Sequence, residues 1–176
     1  MTDSAVKLVS LGAEVLCIPC NTAHYFHSDI QSAAKVPVVH MLRDTARYLK
    51  DRGVQTAGIM ATDGTIQTGL YQSELEKLGI KCVTPSKEGQ EKVMHLIYKN
   101  VKAGKAPEME LFHQVTAELK AAGADACVLA CTELSVIKND YDVGPGILDA
   151  LEILAKSSVE MCEAPLRKEY EELITV

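Results

Sequence analysis

"GAEVLCIPCNT" at residues 12–22 returns as "GADACVLACTE" at residues 123–133, and the two stretches align without a gap. Gly12 falls on Gly123 and Cys20 on Cys131, so each of these cysteines stands eight residues after its glycine, 111 residues apart in the chain. A glycine that closes an amphipathic stretch and opens an apolar run reads as a helix C-cap followed by a strand. The same punctuation recurs in "DRGVQTAGIM" at Gly53 and "KLGIKCV" at Gly79, and "VPVVHM" (36–41) supplies a further strand signal. Ahead of Gly104, Val93, Leu96, Ile97 and Val101 share one helical face; ahead of Gly123, Leu111, Val115, Leu119 and Ala122 do the same. Strands that alternate with helices run mostly parallel, with helices on both faces. The expected fold is therefore α/β, with two pseudo-symmetric lobes of mostly parallel sheet. The first takes residues 1–41 plus 142–176 and the second residues 42–141.

The repeat also sorts the six cysteines. Cys17 and Cys20 make C-x-x-C, but the second copy has C-x-x-x-C at Cys127 and Cys131. A dithiol or a thiolate metal site would need one spacing in both copies. Cys17 aligns with Val128 and Cys127 with Leu16, so Cys17, Cys82, Cys127 and Cys162 read as buried apolar residues. Only Cys20 and Cys131 coincide. Each ends a strand just before residues that start a helix, Asn21 and Thr22 in one copy, Thr132 and Glu133 in the other. Ligands of α/β proteins bind at the carboxyl ends of parallel strands, and helix-start N–H groups stabilise a thiolate or a bound carboxylate. Two matched thiols in two matched lobes would face each other across a cleft. One thiolate could then take a proton from a stereocentre while the opposite thiol delivers one to the other face. Such racemisation needs neither metal nor cofactor, and none is expected here: the chain carries no P-loop, G-x-G-x-x-G or H-E-x-x-H pattern.

Composition bounds the alternatives. With 47% hydrophobic and 24% charged residues, the 176-residue chain has the make-up of a globular protein. A net charge of −6 offers no basic footprint for nucleic acid or an anionic membrane. No long apolar run is present, and "MTDSAVKLVS" lacks the order of a signal peptide, so a cytoplasmic location with reduced thiols is the default expectation.

"IPCNTAHY" (18–25) and "ACTELSV" (130–136) resemble the two cysteine motifs of the cofactor-independent aspartate/glutamate racemases. "ATDGTIQTGLYQ" (61–72) resembles that family's threonine-rich substrate loop, and "LIYKNVKAGK" (96–105) and "PGILDALEILA" (145–155) follow in the family's order. The resemblance spans nearly the whole chain and is closest to the aspartate-type branch, because wall-precursor glutamate racemases usually carry His where Glu133 stands. It implies aspartate racemisation with Cys20 and Cys131 as the two acid/base residues. Asn21, Thr22, Thr65 and Thr132 would bind the carboxylate and ammonium of a small amino-acid substrate, and Lys102 a side-chain carboxylate. Lys102 also fits an ordinary basic helix end, and His24 fits either a tuner of Cys20 or a polar helix-start residue. His24 and His27 have metal-like spacing without a third ligand. A broad-specificity or hydantoin racemase, a maleate-type isomerase and an inactive relative remain open. The first repeat copy is preceded only by residues 1–11, the second by residues 54–122. By symmetry the first lobe is expected to lack its N-terminal segment, to have little activity alone and to pair as a homodimer or higher assembly.

Overall fold

The computed structural model covers residues 1–176. Its centre is a four-stranded, fully parallel sheet in the order β2-β1-β3-β4, formed by β1 (Thr56–Ala61), β2 (Lys81–Val83), β3 (Ala126–Ala130) and β4 (Ile147–Asp149). Both central strands are covered on both faces, which is why "ACVLA" is continuously apolar rather than alternating. Side chains still divide by twos. Ala126, Val128 and Ala130 enter one core with α3 (Met41–Asp51), the short α4 (Asp63–Gln67), α5 (Leu70–Glu76) and α9 (Ala150–Met161). Cys127 and Leu129 enter the other with α6 (Lys87–His95), α7 (Met109–Ala121) and α8 (Thr132–Asp140). On α7 the buried residues are Phe112, Val115, Thr116 and Leu119; of the expected stripe Val115 and Leu119 are buried, Leu111 is partly so, and Ala122, past the end of the helix, is exposed. This helix lies so close to β1 that a Cβ at Gly58 would sit 3.1 Å from Leu119 Cβ and 3.2 Å from Ala124 Cβ.

A smaller lobe precedes the sheet: α1 (Thr2–Ser10), a 3-10 turn (Thr22–Phe26) and α2 (His27–Ala34) close over Ala5, Leu16, Ile30, Ala34 and Val38. The two repeat glycines share a left-handed backbone, φ +97° at Gly12 and +94° at Gly123, where only glycine is unstrained. The strands expected after Gly12 and at 36–41 shrink to one parallel bridge, Leu16 with Val38. The reason is competition for backbone groups. Gln31 accepts from Val38 N and donates to Val36 O, and His27 Nε2 donates to Val38 O, so α2 takes bonds that a neighbouring strand would otherwise make.

Residues 142–176 do not return to the smaller lobe as expected. β4 pairs with β3, Ile153 and Leu154 join the core beside β1 and β3, and the C-terminal residues strap the same sheet. Leu173 is buried, its N–H donates to the Tyr48 hydroxyl at 2.7 Å, and Thr175 bonds the backbone of Gly146 and Ile147 at the edge of β4. Arg52 holds Glu172 through two bonds of 2.8 and 2.7 Å.

The cysteines divide differently from the sequence reading. Cys127 is buried and Cys82 partly so, and burial pushes both thiols up to about 11. Cys17 and Cys162 are exposed. In 14–18, Leu16 is buried in the smaller lobe and Val15 packs partly on the main core, but nothing covers Cys17, while Cys162 lies just past α9. Cys127→Ala is therefore expected to cost about 1–2 kcal/mol in a denaturant melt, and Cys17→Ala to stay within about 0.5 kcal/mol.

Candidate active site

The strand order reverses between β1 and β3: β2 lies on one side of β1 and β3 on the other. At such a switch point the loops leaving two adjacent strands diverge and open a crevice above their carboxyl ends. Ala61 and Ala130 are register partners at the ends of β1 and β3, so the next residues, Thr62–Thr65 and Cys131–Glu133, flank one opening. The smaller lobe brings Cys20, Asn21 and Thr22 to the same place. The cavity they enclose, about 370 Å³, is lined by both Cys20 and Cys131, with Thr22, Thr132, Lys102 and Glu133 among its walls.

Hydroxyls and an amide tie the smaller lobe to the sheet. Thr22 Oγ1 lies 2.7 Å from Thr65 Oγ1 and 3.4 Å from Thr62 Oγ1, and Thr62 and Thr65 are 3.2 Å apart. The hydroxyl of Tyr71, a fully buried residue of α5, donates to Asn21 Oδ1 at 2.7 Å, so Asn21 turns its Nδ2 end the other way. Of the residues expected to bind substrate, Thr65 stands apart from the cavity wall. Thr65 is buried behind Thr22, its hydroxyl is engaged there, and it does not line the cavity.

Cys131 is the residue before α8. Its Sγ–H donates to Glu133 Oε2 at 2.9 Å, and Glu133 Oε1 stands 3.3 Å from Lys102 Nζ. Burial, then the bond to Glu133 and its negative charge, push the Cys131 thiol up to about 12. This differs from the thiolate expected at a helix start, because an adjacent carboxylate and loss of water outweigh the helix-end N–H groups. Burial pushes the Glu133 carboxyl up as well, but the Cys131 thiol, its own backbone N–H and Lys102 outweigh this and hold it below its ordinary value. The resting pair is thus a thiol beside a carboxylate.

Lys102 reaches the cavity because the helix before it widens into a π-turn at Leu96–Asn100, a distortion frequent at functional sites. Its ammonium lies 4.7 Å from the centre of the Tyr98 ring, which with Met94 forms an apolar wall. Cys20, Asn21, Thr22, Lys102, Cys131 and Thr132 therefore meet in one cavity, as expected. Glu133, Thr62, Asp63 and Tyr98 were missed as wall residues. Glu133 was visible only as a marker of branch, although its place two residues after a suspected acid/base thiol was itself a signal.

Comparison with known proteins gives a consistent result. The broad specificity amino-acid racemase RacX of Bacillus subtilis (strain 168) is 31% identical over 157 residues, 89% of this chain and 68% of that protein. The aspartate racemase of Picrophilus torridus superposes with a TM-score of 0.77 at 26% identity, over 97% of this chain and 71% of that one. An aspartate racemase homologue from Pyrococcus horikoshii OT3 superposes with a TM-score of 0.78 at 25% identity, over 92% and 72%. With the family model for Asp/Glu/Hydantoin racemase matching residues 1–157, the chain belongs to the Asp/Glu/hydantoin racemase family.

Proposed function

We propose that this chain racemises an amino acid by two-base proton transfer at Cα, with Cys20 and Cys131 serving opposite faces. The observation that carries the reading is that the only two cysteines matched in the sequence repeat line one cavity at the carboxyl ends of β1 and β3. Cys131, resting as a thiol, delivers a proton to one face of Cα while Cys20 as thiolate removes the proton from the other. For the reverse direction Cys131 must first lose its proton, and Glu133, charged and 2.9 Å away, is placed to take it. Asn21 Nδ2, the N–H groups opening α8, the Thr22 hydroxyl when Thr65 donates to it, and the Thr132 hydroxyl once it leaves Glu133 Oε2 at 3.3 Å are the donors for the substrate carboxylate, on which negative charge builds as Cα is deprotonated. The chain's own thiols and donors suffice for these steps, so the proposal includes no cofactor.

Aspartate is the proposed substrate, with Lys102 leaving Glu133 to meet the side-chain carboxylate. Broad specificity is the second reading. Its support is that Lys102 is already paired with Glu133 at 3.3 Å, which lowers its preference for a second carboxylate, and that a relative at 31% identity is named for broad specificity. Exposed Val6 and Leu8 on α1, with Leu11 just past its end, favour self-association through the smaller lobe as part of the same proposal. The test is a panel of amino acids in heavy water, following Cα–H loss and optical inversion together. Activity confined to aspartate supports the first reading, and comparable rates on uncharged side chains support the second.

A further inference from the structure

Beside the cavity, the rings of His24, His27 and His40 pack together, with centroids 5.8 Å (His24–His27), 5.3 Å (His24–His40) and 4.3 Å (His27–His40) apart. No step of the proton transfer uses them. His24 and His27 are buried, and both nitrogens of His24 are committed to backbone. Nδ1 lies 2.8 Å from the Cys20 carbonyl oxygen, which can only accept, so Nδ1 carries the proton. Nε2 accepts from the N–H of Met41, the first residue of α3, at 3.1 Å. These two bonds fix one tautomer and one charge state: a second proton, on Nε2, would point at the Met41 N–H. His40 is committed in the same sense, since its Nδ1 accepts from Arg43 N at 3.2 Å.

We propose that His24 is a positioning residue for the first thiol: as a neutral Nδ1–H imidazole it ties the backbone of Cys20 to the start of α3, and its protonation unfastens that tie. Cys20 lies between the smaller lobe and the sheet on a loop without regular structure, ahead of the short 3-10 turn that opens at Thr22. Without the ring, the Cys20 carbonyl and the Met41 N–H would both lose their partner, and Met41 is fully buried. The charged and titratable groups facing the cluster all bear on its protonation. His27 faces it from α2, Arg43 from α3 and Glu74 from α5, and Glu74 is already engaged by Arg43 at 3.6 Å and Lys77 at 2.6 Å. Among the charged side chains only Glu74, which faces His40, favours a charged ring; at His24 the backbone carbonyls of Cys20 and Val39 also favour it, and burial outweighs them. Burial, and then the neighbouring histidine, lower the proton affinity of His24; burial, His27 and Arg43 lower that of His40 to about 4. The unfolded chain, whose imidazoles titrate near about 6.5, therefore binds protons first as pH falls. Stability that is complete above that pH drains away below it, toward the lowered values of the folded rings.

The proposal rests on the two-thiol reading for its activity readout, so its test has a second readout that does not. In long-range ¹H–¹⁵N spectra of the wild-type protein, His24 is expected as the neutral Nδ1–H tautomer at pH 7, titrating below the ordinary imidazole value, with the Met41 amide resonance moving as the ring titrates. An Nε2–H tautomer, or a His24 cation at pH 7, overturns the tie whether or not the chain racemises anything. The second arm compares His24→Leu with His24→Gln, whose amide can accept where Nε2 does. His24→Leu should slow Cα–H exchange from the enantiomer that presents its proton to Cys20, on the order of 100-fold, with a much smaller effect from the other enantiomer. His24→Gln should recover part of the loss. Equal losses from both enantiomers would reduce His24 to a general structural residue and refute the positioning role. If the variants do not fold, or the wild type shows no exchange, the tautomer measurement alone decides.

Discussion

Cys131→Ala is expected to lower racemisation about a thousandfold or more while leaving exchange of Cα–H from one enantiomer, and Cys20→Ala to give the mirror-image pattern. The argument is one of faces. A thiol on one side of Cα cannot reach the other side without the substrate turning over, so losing either group stops inversion but not the half-reaction served by the survivor. General acid–base groups are worth roughly 10²- to 10⁴-fold each, and here the loss of one leaves no substitute on its face. Chiral chromatography combined with NMR of the Cα proton reads both halves. Racemisation within about tenfold of wild type by either variant would sink the paired assignment.

Glu133→Gln should lower kcat/KM about 100-fold in both directions of racemisation. The losses must match, because the two enantiomers have equal free energy in water and the ratio of the two kcat/KM values is set by that equilibrium. The asymmetry appears in exchange instead: the enantiomer that needs Cys131 as thiolate should lose exchange more. Glutamine keeps the size of the side chain, but it cannot take the thiol proton and cannot pair with Lys102 at the present 3.3 Å as a charge. Removing the negative charge should also bring the Cys131 thiol down from about 12, with burial keeping it above its ordinary value, so the loss of rate is that of the adjacent proton acceptor and outweighs this gain in acidity. The rate of alkylation of Cys131 against pH checks this. Unchanged kcat/KM in the glutamine variant would mean that the proton leaves Cys131 by another route.

What could be read from the chain depended on whether a local pattern carried the information. β3 and its glycine were legible because Gly123 closes α7 and the next residues are apolar without interruption, and Cys20 and Cys131 were legible because the repeat places them in register. The first copy misled. The repeat alignment treats 14–18 as a strand like β3, but a strand requires neighbours, and this segment has one bridge and no cover over Cys17, which is exposed. Thr65 lay in a recognisable loop, yet only the fold shows that Thr22 stands between it and the cavity. Tyr98 was hidden because the π-turn changes which residues share a face, and hydropathy spacing assumes an unbroken helix. The C-terminal strap was hidden for another reason. Tyr48 and Leu173 meet across most of the chain's length, and nothing in the local sequence of either announces the other.

The central claim is that two thiols in one cavity exchange and invert the same carbon. It is tested most directly by incubating the wild-type chain and the Cys20→Ala/Cys131→Ala double variant with single enantiomers in heavy water. The account predicts deuterium at Cα accompanied by inversion for the wild type, beginning from either enantiomer, and neither event for the double variant. Deuterium incorporation or inversion surviving in the double variant would contradict it.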